Sequence, residues 1–156
     1  MIAVGQLAPD FTLHTSIKEH KISLSELKGK NVLLLFFPQA FTGVCTKELC
    51  SVRDNISSYC NVNAEVLGIS VDSPFTLAKY KEEQGLNFTL LSDFNKEVST
   101  NYGCLYDSFI GWMKGVSKRS AFIIDKNGIV QYAEVLENAL DIPNFEAINT
   151  ILEKIK

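Results

Sequence analysis

The sequence lacks the segments that would direct it out of the cytoplasm or divide it into modules. No basic stretch followed by an apolar run occurs near the start, and no apolar run approaches the ~18 residues of a membrane span. Internal repeats, low-complexity tracts and linkers rich in Pro, Gly and Ser are also missing. We therefore expect a cytoplasmic protein without a membrane segment, folded as a single domain over residues 1–156.

The net charge is small, and the spacing patterns of metal ligands are missing as well. The formal net charge of −3 gives no support for binding to nucleic acid or to an anionic membrane. The only histidines, His14 and His20, have no second ligand at metal-binding spacing, and we expect both at the surface. The four cysteines include no C-x-x-C pair, which argues against a zinc site and against a disulfide reductase. We expect no metal and no organic cofactor.

What the sequence does contain is an alternation of strand and helix patterns. Residues 31–37, NVLLLFF, form the continuous apolar run of a strand that is buried on both faces. Apolar residues at helical spacing predict a helix over residues 45–60. Residues 64–71 form the next strand, and Ser73-Pro74 opens a helix that Gly85 ends.

The second half of the chain continues this pattern. Asn127-Gly128 predicts a hairpin between the strands 119–125 and 129–135. Shorter elements are strands at 11–13, 21–24 and 88–91, a turn of helix at 25–28, and helices at 95–102 and 144–155. The order predicts a three-layer α/β domain with a central mixed sheet flanked by helices.

Cys45 lies where the loop after the first buried strand enters a helix. Ligands of open α/β sheets bind at that edge, and the first helical turn offers unpaired backbone N–H groups and a positive partial charge. Both favour a thiolate, the reactive form of cysteine. Pro38 ends the strand, the Thr42 hydroxyl can reach toward the same loop, and Glu48 is placed one turn later to orient an arginine. A cysteine without such surroundings is usually a small buried hydrophobe.

The pattern Pro38-x-x-x-Thr42-x-x-Cys45 resembles the signature of the peroxiredoxins, the alkyl hydroperoxide reductase and thiol-specific antioxidant superfamily. The likeness continues along the chain through GQLAPDF at 5–11, GISVDS at 68–73, SD at 92–93, NYG at 101–103 and RSAFIID at 119–125. Each piece alone is weak, but together and in this order they are specific. The resemblance implies a thioredoxin-like fold and a thiol-dependent peroxidase.

The resemblance also implies a mechanism. The Cys45 thiolate attacks the terminal oxygen of hydrogen peroxide or an organic hydroperoxide and becomes a sulfenic acid. Negative charge then develops on two oxygens. The Thr42 hydroxyl, the backbone N–H groups of Val44 and Cys45, and the Arg119 guanidinium are the expected donors. Only the resemblance places Arg119 beside Cys45; it would otherwise be a solvated charge at a strand edge.

Two subgroup signals bear on how the sulfenic acid is resolved. Cys50 follows Cys45 at the spacing of the Q-type, or bacterioferritin-comigratory, peroxiredoxins, whose second cysteine forms an intramolecular disulfide; we expect thioredoxin to recycle it. In a helix the two Cα atoms are about 8–9 Å apart. That exceeds the ~7 Å limit for a disulfide, so the helix must unwind.

Gly43-Val44 instead resembles the E-type subgroup, which has one cysteine; an external thiol would then reduce Cys45.

Other interpretations stay open. A non-enzymatic redox sensor or holdase could signal through the same two cysteines. Cys104 is a weaker resolving candidate, whereas Cys60 continues an apolar helical stripe and is expected in the core. The apolar residues within 106–113 are interpreted as a lid, a substrate-facing wall or a subunit interface, which leaves a homodimer and a monomer as alternatives.

Overall fold

The computed structural model describes residues 2–156 and is built around the apolar strand that the sequence predicts. This strand, Asn31–Phe36, is buried at every position. Its side chains alternate between two hydrophobic clusters, with Leu33 and Leu35 in one and Val32 and Leu34 in the other. Successive side chains of a strand point to opposite faces of its sheet, so a hydrophobic core lies on each face.

Within residues 2–156, the sheet has seven strands. In chain order they are β1 (Thr12–Thr15), β2 (Lys21–Ser23), β3 (Asn31–Phe36), β4 (Ala64–Ser70), β5 (Thr89–Ser92), β6 (Ser120–Ile124) and β7 (Val130–Val135). Their order across the sheet is β2-β1-β5-β4-β3-β6-β7. The central strands β3, β4 and β5 are parallel, and all other neighbours are antiparallel. The predicted mixed sheet and late hairpin are therefore confirmed.

Helices join the parallel strands and cover both faces. They are α1 (Gly43–Asp54), α2 (Ile56–Asn61), α3 (Pro74–Gln84), α4 (Glu97–Asn101) and α5 (Phe145–Ile155), with a 3-10 helix at Leu24–Leu27. The predicted start signals act as caps: Ser73 accepts from the Thr76 N–H at 3.2 Å, and Asn144 accepts from the Ala147 N–H at 3.0 Å. Gly85 ends α3 with a φ of 59°, which glycine adopts without strain.

The helix predicted over residues 45–60 is in fact two helices, because the chain leaves the helical conformation at Asn55 (φ −116°, ψ 18°). The Asn55 side-chain amide donates to the Ser51 carbonyl at 2.8 Å, the acceptor that a continuing helix would give to the backbone. The break rotates the next helix, so Tyr59 is buried and Cys60 is exposed. The expectation that Cys60 lies in the core was wrong.

The register of β3 against β6 brings two distant segments together. Phe36, the last residue of β3, pairs with Ser120, the first residue of β6. Because the two strands are antiparallel, the chain leaving β3 and the chain entering β6 lie at the same edge of the sheet. Arg119, one position before β6, therefore lies next to the loop that leads to Cys45.

Candidate active site

Cys45 is the third residue of α1 and is only 1% exposed. The Thr46 N–H donates to the Thr42 carbonyl at 3.0 Å, and no side chain of the described residues 2–156 caps the start of the helix. The backbone N–H groups of Gly43, Val44 and Cys45 therefore have no intrahelical acceptor. These donors and the positive end of the helix dipole favour negative charge at the start of α1.

Arg119 contacts two groups on α1. Its Nη2 donates to Cys45 Sγ at 3.3 Å and to the Ala139 carbonyl at 2.9 Å, and its Nη1 donates to Glu48 Oε1 at 3.0 Å. The side chain is almost fully buried, in contrast to a solvated charge at a strand edge. The expected positions of Arg119 beside Cys45, and of Glu48 beside the arginine, are therefore confirmed.

Burial controls the electrostatics of this centre. It raises the pKa of Glu48 to about 7, although the neighbouring Arg119 acts in the opposite direction. For Arg119, burial disfavours the charge, but Cys45 and Glu48 together outweigh this effect and raise its pKa. The guanidinium therefore remains charged, and the thiol and the carboxyl share one permanent cation.

Pro38 and Thr42 belong to the loop between β3 and α1. Pro38 is buried, whereas Thr42 is exposed and its hydroxyl donates to the Gln39 carbonyl at 2.7 Å. A hydroxyl has one proton and two lone pairs, so this bond leaves Thr42 only acceptor capacity. The expectation that this hydroxyl donates to the peroxide oxygens does not fit this geometry.

Asp72, just after the end of β4, holds the same loop in place. This role of Asp72 was not predicted. Its Oδ2 accepts from the Ala40 N–H at 2.8 Å and from the Ser70 hydroxyl at 2.6 Å. The segment GISVDS contained this residue, but nothing in the sequence tied it to the loop. Ala139, whose carbonyl holds Arg119, gives no sequence signal, because any residue supplies a backbone carbonyl.

Cys50 lies on the same helix as Cys45 but faces a different neighbour. Its Sγ donates to Gln84 Oε1 of α3 at 3.6 Å, whereas the Cys45 sulfur contacts Arg119. Both cysteines are free, and α1 is continuous from Gly43 to Asp54. A bond between the two sulfurs therefore requires α1 to open, as the helix geometry predicts.

Cys104 is fully buried on the other side of the sheet. It packs in the cluster that contains Leu34, whereas Cys45 packs in the cluster that contains Leu33. Burial raises the pKa of the Cys104 thiol to about 12. Both its position and its protonation make Cys104 a poor partner for Cys45.

The remaining expectations concern surface residues, metal ligands and membrane-spanning helices. His14 and His20 are exposed, as expected. In the irregular segment 106–113, Trp112 is 71% exposed and Ile110 is 64% exposed. Within residues 2–156, no group of three or more His, Cys, Asp or Glu side chains could hold a metal ion. None of the helices in that range has the length and the apolar character needed to cross a bilayer.

Comparison with known proteins decides the family. The AhpC/TSA family model matches residues 4–133. The chain belongs to this family, the peroxiredoxins. It is 44% identical over 131 residues to the putative peroxiredoxin bcp of Coxiella burnetii. This alignment covers 83% of this chain and 85% of that protein. Over 138 residues it is 39% identical to alkyl hydroperoxide reductase E of Mycobacterium tuberculosis, which covers 86% of each.

A solved peroxiredoxin has the same fold. Peroxidoxin BcpB from Mycobacterium tuberculosis superposes with a TM-score of 0.87 at 30% identity, covering 100% of this chain and 99% of that chain. The thioredoxin-like fold is thereby confirmed. The names of these relatives and the family match support the predicted Q-type, or Bcp-like, peroxiredoxin.

Proposed function

We propose that the protein is a thiol-dependent peroxidase that reduces hydrogen peroxide and organic hydroperoxides through Cys45. The observation that carries this proposal is the contact of 3.3 Å between Arg119 Nη2 and the Cys45 sulfur at the start of α1. A buried cation and the free backbone donors of the helix end meet at one sulfur, and both stabilise a thiolate. A cysteine that only fills space in the core needs neither.

The reaction follows from these groups. The Cys45 thiolate attacks the terminal oxygen of ROOH; an S–O bond forms while the O–O bond breaks, giving a sulfenic acid and RO⁻, which takes up a proton to leave as ROH. Negative charge moves from the sulfur to the oxygens, where Arg119 and the N–H groups of Val44 and Cys45 stabilise it. Thr42 accepts the hydrogen bond of the peroxide O–H, and Pro38 shields the sulfur.

Cys50 is the proposed resolving residue. Its thiol attacks the sulfenic sulfur of Cys45, water leaves, and the resulting disulfide is reduced by thioredoxin or a similar dithiol. The half-buried Cys50 gives up its contact with Gln84 when α1 opens. Both cysteines lie on the same helix, so their effective concentration is high once the helix opens.

A second candidate is a one-cysteine peroxidase, in which an external thiol reduces the Cys45 sulfenic acid directly. The separate neighbours of Cys45 and Cys50 on an intact α1 favour it. A third is a redox sensor or holdase that is oxidised at the same sulfur but does not turn over. For each candidate, we propose that residues 1–156 act as one cytoplasmic domain, as a monomer or a homodimer.

The test is NADPH consumption coupled through thioredoxin reductase and thioredoxin, with hydrogen peroxide and an organic hydroperoxide as substrates. Cys45→Ser should abolish turnover without unfolding the protein, and Cys60→Ser, at an exposed cysteine outside the site, should not. If Cys45→Ser keeps a tenth of the turnover, the proposal is wrong. Turnover with a small thiol that is unchanged in Cys50→Ser supports the one-cysteine mechanism. Oxidation of Cys45 without turnover by any donor supports the sensor.

A further inference from the structure

The buried centre contains one cation and two acidic groups in contact with it. Arg119 Nη1 lies 3.0 Å from Glu48 Oε1, Arg119 Nη2 lies 3.3 Å from Cys45 Sγ, and each of the three residues is only 1% exposed. With both acids ionised the centre carries one excess negative charge, and with both neutral it carries one excess positive charge. Uncompensated charge is costly in a buried site, so the favoured states have one anion.

The hydrogen bonds of Glu48 do not require its carboxyl group to be ionised. Its Oε2 has no hydrogen-bond partner among residues 2–156, and neither has Arg119 Nε. An ionised carboxylate has about four acceptor sites, and here one oxygen receives a donor from Arg119 while the other receives none. Together with the pKa of about 7 that burial gives Glu48, this places its change of charge near neutral pH.

Among residues 2–156, neither Arg119 nor Glu48 forms an ion pair with any other residue. The groups that act electrostatically on Glu48 are Arg119, Tyr59 on α2 and Tyr80 on α3. Cys45, one turn earlier on the same helix, is linked to Glu48 through Arg119, which donates to both side chains. Burial raises the pKa of each tyrosine to about 12, so both are neutral near pH 7. Arg119 is always charged. The charge on Cys45 is therefore the variable to which Glu48 responds.

We propose that Glu48 holds a proton while Cys45 is a thiolate and releases it when Cys45 is oxidised, so that the Arg119 guanidinium exchanges one anionic partner for the other. This inference rests on the proposed peroxidase function and gives Glu48 a proton-carrying role in addition to positioning Arg119.

The exchange balances in atoms and in charge. Cys45–S⁻, Glu48–COOH and ROOH become Cys45–SOH, Glu48–COO⁻ and ROH. The S–O bond forms, the O–O bond breaks, the sulfur is oxidised by two electrons, and RO⁻ gains the proton that Glu48 loses. With the charge of Arg119 included, the side chains sum to zero before and after. The proton can pass through solvent without changing this count.

The test counts protons with an indicator dye in weak buffer, just below the Glu48 pKa of about 7. The full-length protein carries Cys50→Ser and Cys60→Ser, which leaves Cys45 and the buried Cys104. One equivalent of hydrogen peroxide is added, and mass spectrometry gives the extent of Cys45 oxidation. Glu48→Gln should take up one more proton per oxidised thiolate than this parent, because the amide releases none. Thiolate absorbance before mixing normalises the count.

A second measurement does not depend on peroxide chemistry. Iodoacetamide converts the Cys45 thiolate into a neutral thioether and releases iodide but no proton. The parent should then release one proton from Glu48 for each alkylated thiolate, and Glu48→Gln should release none. Glu82→Gln, the same substitution at an exposed position on α3, should behave as the parent does.

Infrared difference spectra make the test independent of whether Glu48→Gln folds. Exposed carboxyl groups are already ionised near neutral pH. The carboxylic-acid C=O band of the reduced parent should therefore come from Glu48 and disappear when Cys45 is oxidised. The proton-exchange proposal is wrong if this band persists after oxidation, or if the parent and Glu48→Gln give equal proton counts. Neither result would contradict the proposed peroxidase function. If peroxide does not oxidise Cys45 but alkylation still releases the proton, the peroxidase proposal fails and the charge coupling stands.

Discussion

Arg119 donates to the Cys45 sulfur at 3.3 Å although 74 positions of sequence separate the two residues. The pairing of Phe36 with Ser120 closes this distance, because it places the end of β3 beside the start of β6. A one-residue slip of this register would turn Arg119 toward the opposite face of the sheet. The environment of the sulfur is thus set by strand pairing.

Arg119→Ala should slow the oxidation of Cys45 by hydrogen peroxide by about 10²–10³-fold, the usual effect of removing one donor to a developing oxyanion. It should also lower the fraction of Cys45 that is a thiolate. Stopped-flow oxidation and thiolate absorbance measure the two effects. Lys118→Ala, which removes the neighbouring cation that pairs with Glu137, is the matched control and should react at the wild-type rate. Equal rates for Arg119→Ala and wild type would reduce Arg119 to a packing residue.

One equivalent of peroxide should give a monomer with a disulfide between Cys45 and Cys50, and hydrogen exchange should become faster over residues 45–53. Opening the first part of α1 sacrifices a few backbone hydrogen bonds, each worth about 0.5–1.5 kcal/mol net. Helix ends open most easily, so this cost is compatible with a catalytic cycle. Peptide mapping under non-reducing conditions identifies the bond.

Three results of that mapping would contradict the assignment of Cys50. One is a Cys50 that stays alkylatable while Cys45 is oxidised. The others are a bond from Cys45 to Cys104 and a bond between two subunits. Cys60→Ser serves as the control, since Cys60 is exposed outside the site and its loss should leave the disulfide unchanged.

In the reduced native protein, alkylation should reach Cys60 early and Cys104 last. Cys60 is exposed, whereas Cys104 is fully buried and its pKa is raised to about 12. The thiolate is the reactive form, so burial and protonation both protect Cys104. Timed alkylation followed by mass mapping gives the order, with urea-unfolded protein as the reference for intrinsic reactivity. Similar rates for the two cysteines in the native state would mean that the core around Cys104 opens readily.

The free energy of unfolding of the reduced protein should contain a part, due to Glu48, that falls as the pH rises from about 4.5 to about 7. Between these values the unfolded chain has lost the Glu48 proton while the folded protein still holds it. Rising pH therefore favours the unfolded state, and the effect levels off above the folded pKa. Urea unfolding across this range, compared between wild type and Glu48→Gln, isolates the contribution.

The matched control for this comparison is Glu82→Gln, whose carboxyl is exposed. It should keep the wild-type dependence on pH. If wild type and Glu48→Gln instead run parallel across the whole range, the Glu48 carboxyl is already ionised in the folded protein.

The elements that the sequence predicted well depend on local signals. Ser73 marks the start of α3 with a hydrogen bond to a backbone N–H of the first turn, and Gly85 marks its end with a left-handed backbone conformation. The apolar run of β3 requires only that the strand is buried. The prediction of one helix over residues 45–60 was wrong because it used only the spacing of apolar residues and gave no weight to Asn55. Its amide competes for a backbone acceptor, and the spacing of apolar residues does not register this.

The sequence pointed to some residues of the candidate site, but not to Asp72 or Ala139 and not to every hydrogen bond. The likeness to peroxiredoxins placed Arg119 beside Cys45, a contact that no spacing within the sequence could give. The Thr42 hydroxyl turned instead to the Gln39 carbonyl, and Ala139 contributes only backbone. Such bonds depend on how loops from different parts of the chain pack, so short motifs carry no information about them.

If Cys50 resolves Cys45 as proposed, the break at Asn55 limits the length of helix that has to unfold. Helical hydrogen bonds form and break cooperatively along an uninterrupted ladder. Because the helical hydrogen bonds of α1 stop at Asp54 and Tyr59 is buried in the core, we expect α2 to unfold separately from α1. Local unfolding between Cys45 and Cys50 can then proceed without mobilising Tyr59, so a redox-driven rearrangement would be confined to a single subglobal unit of the protein.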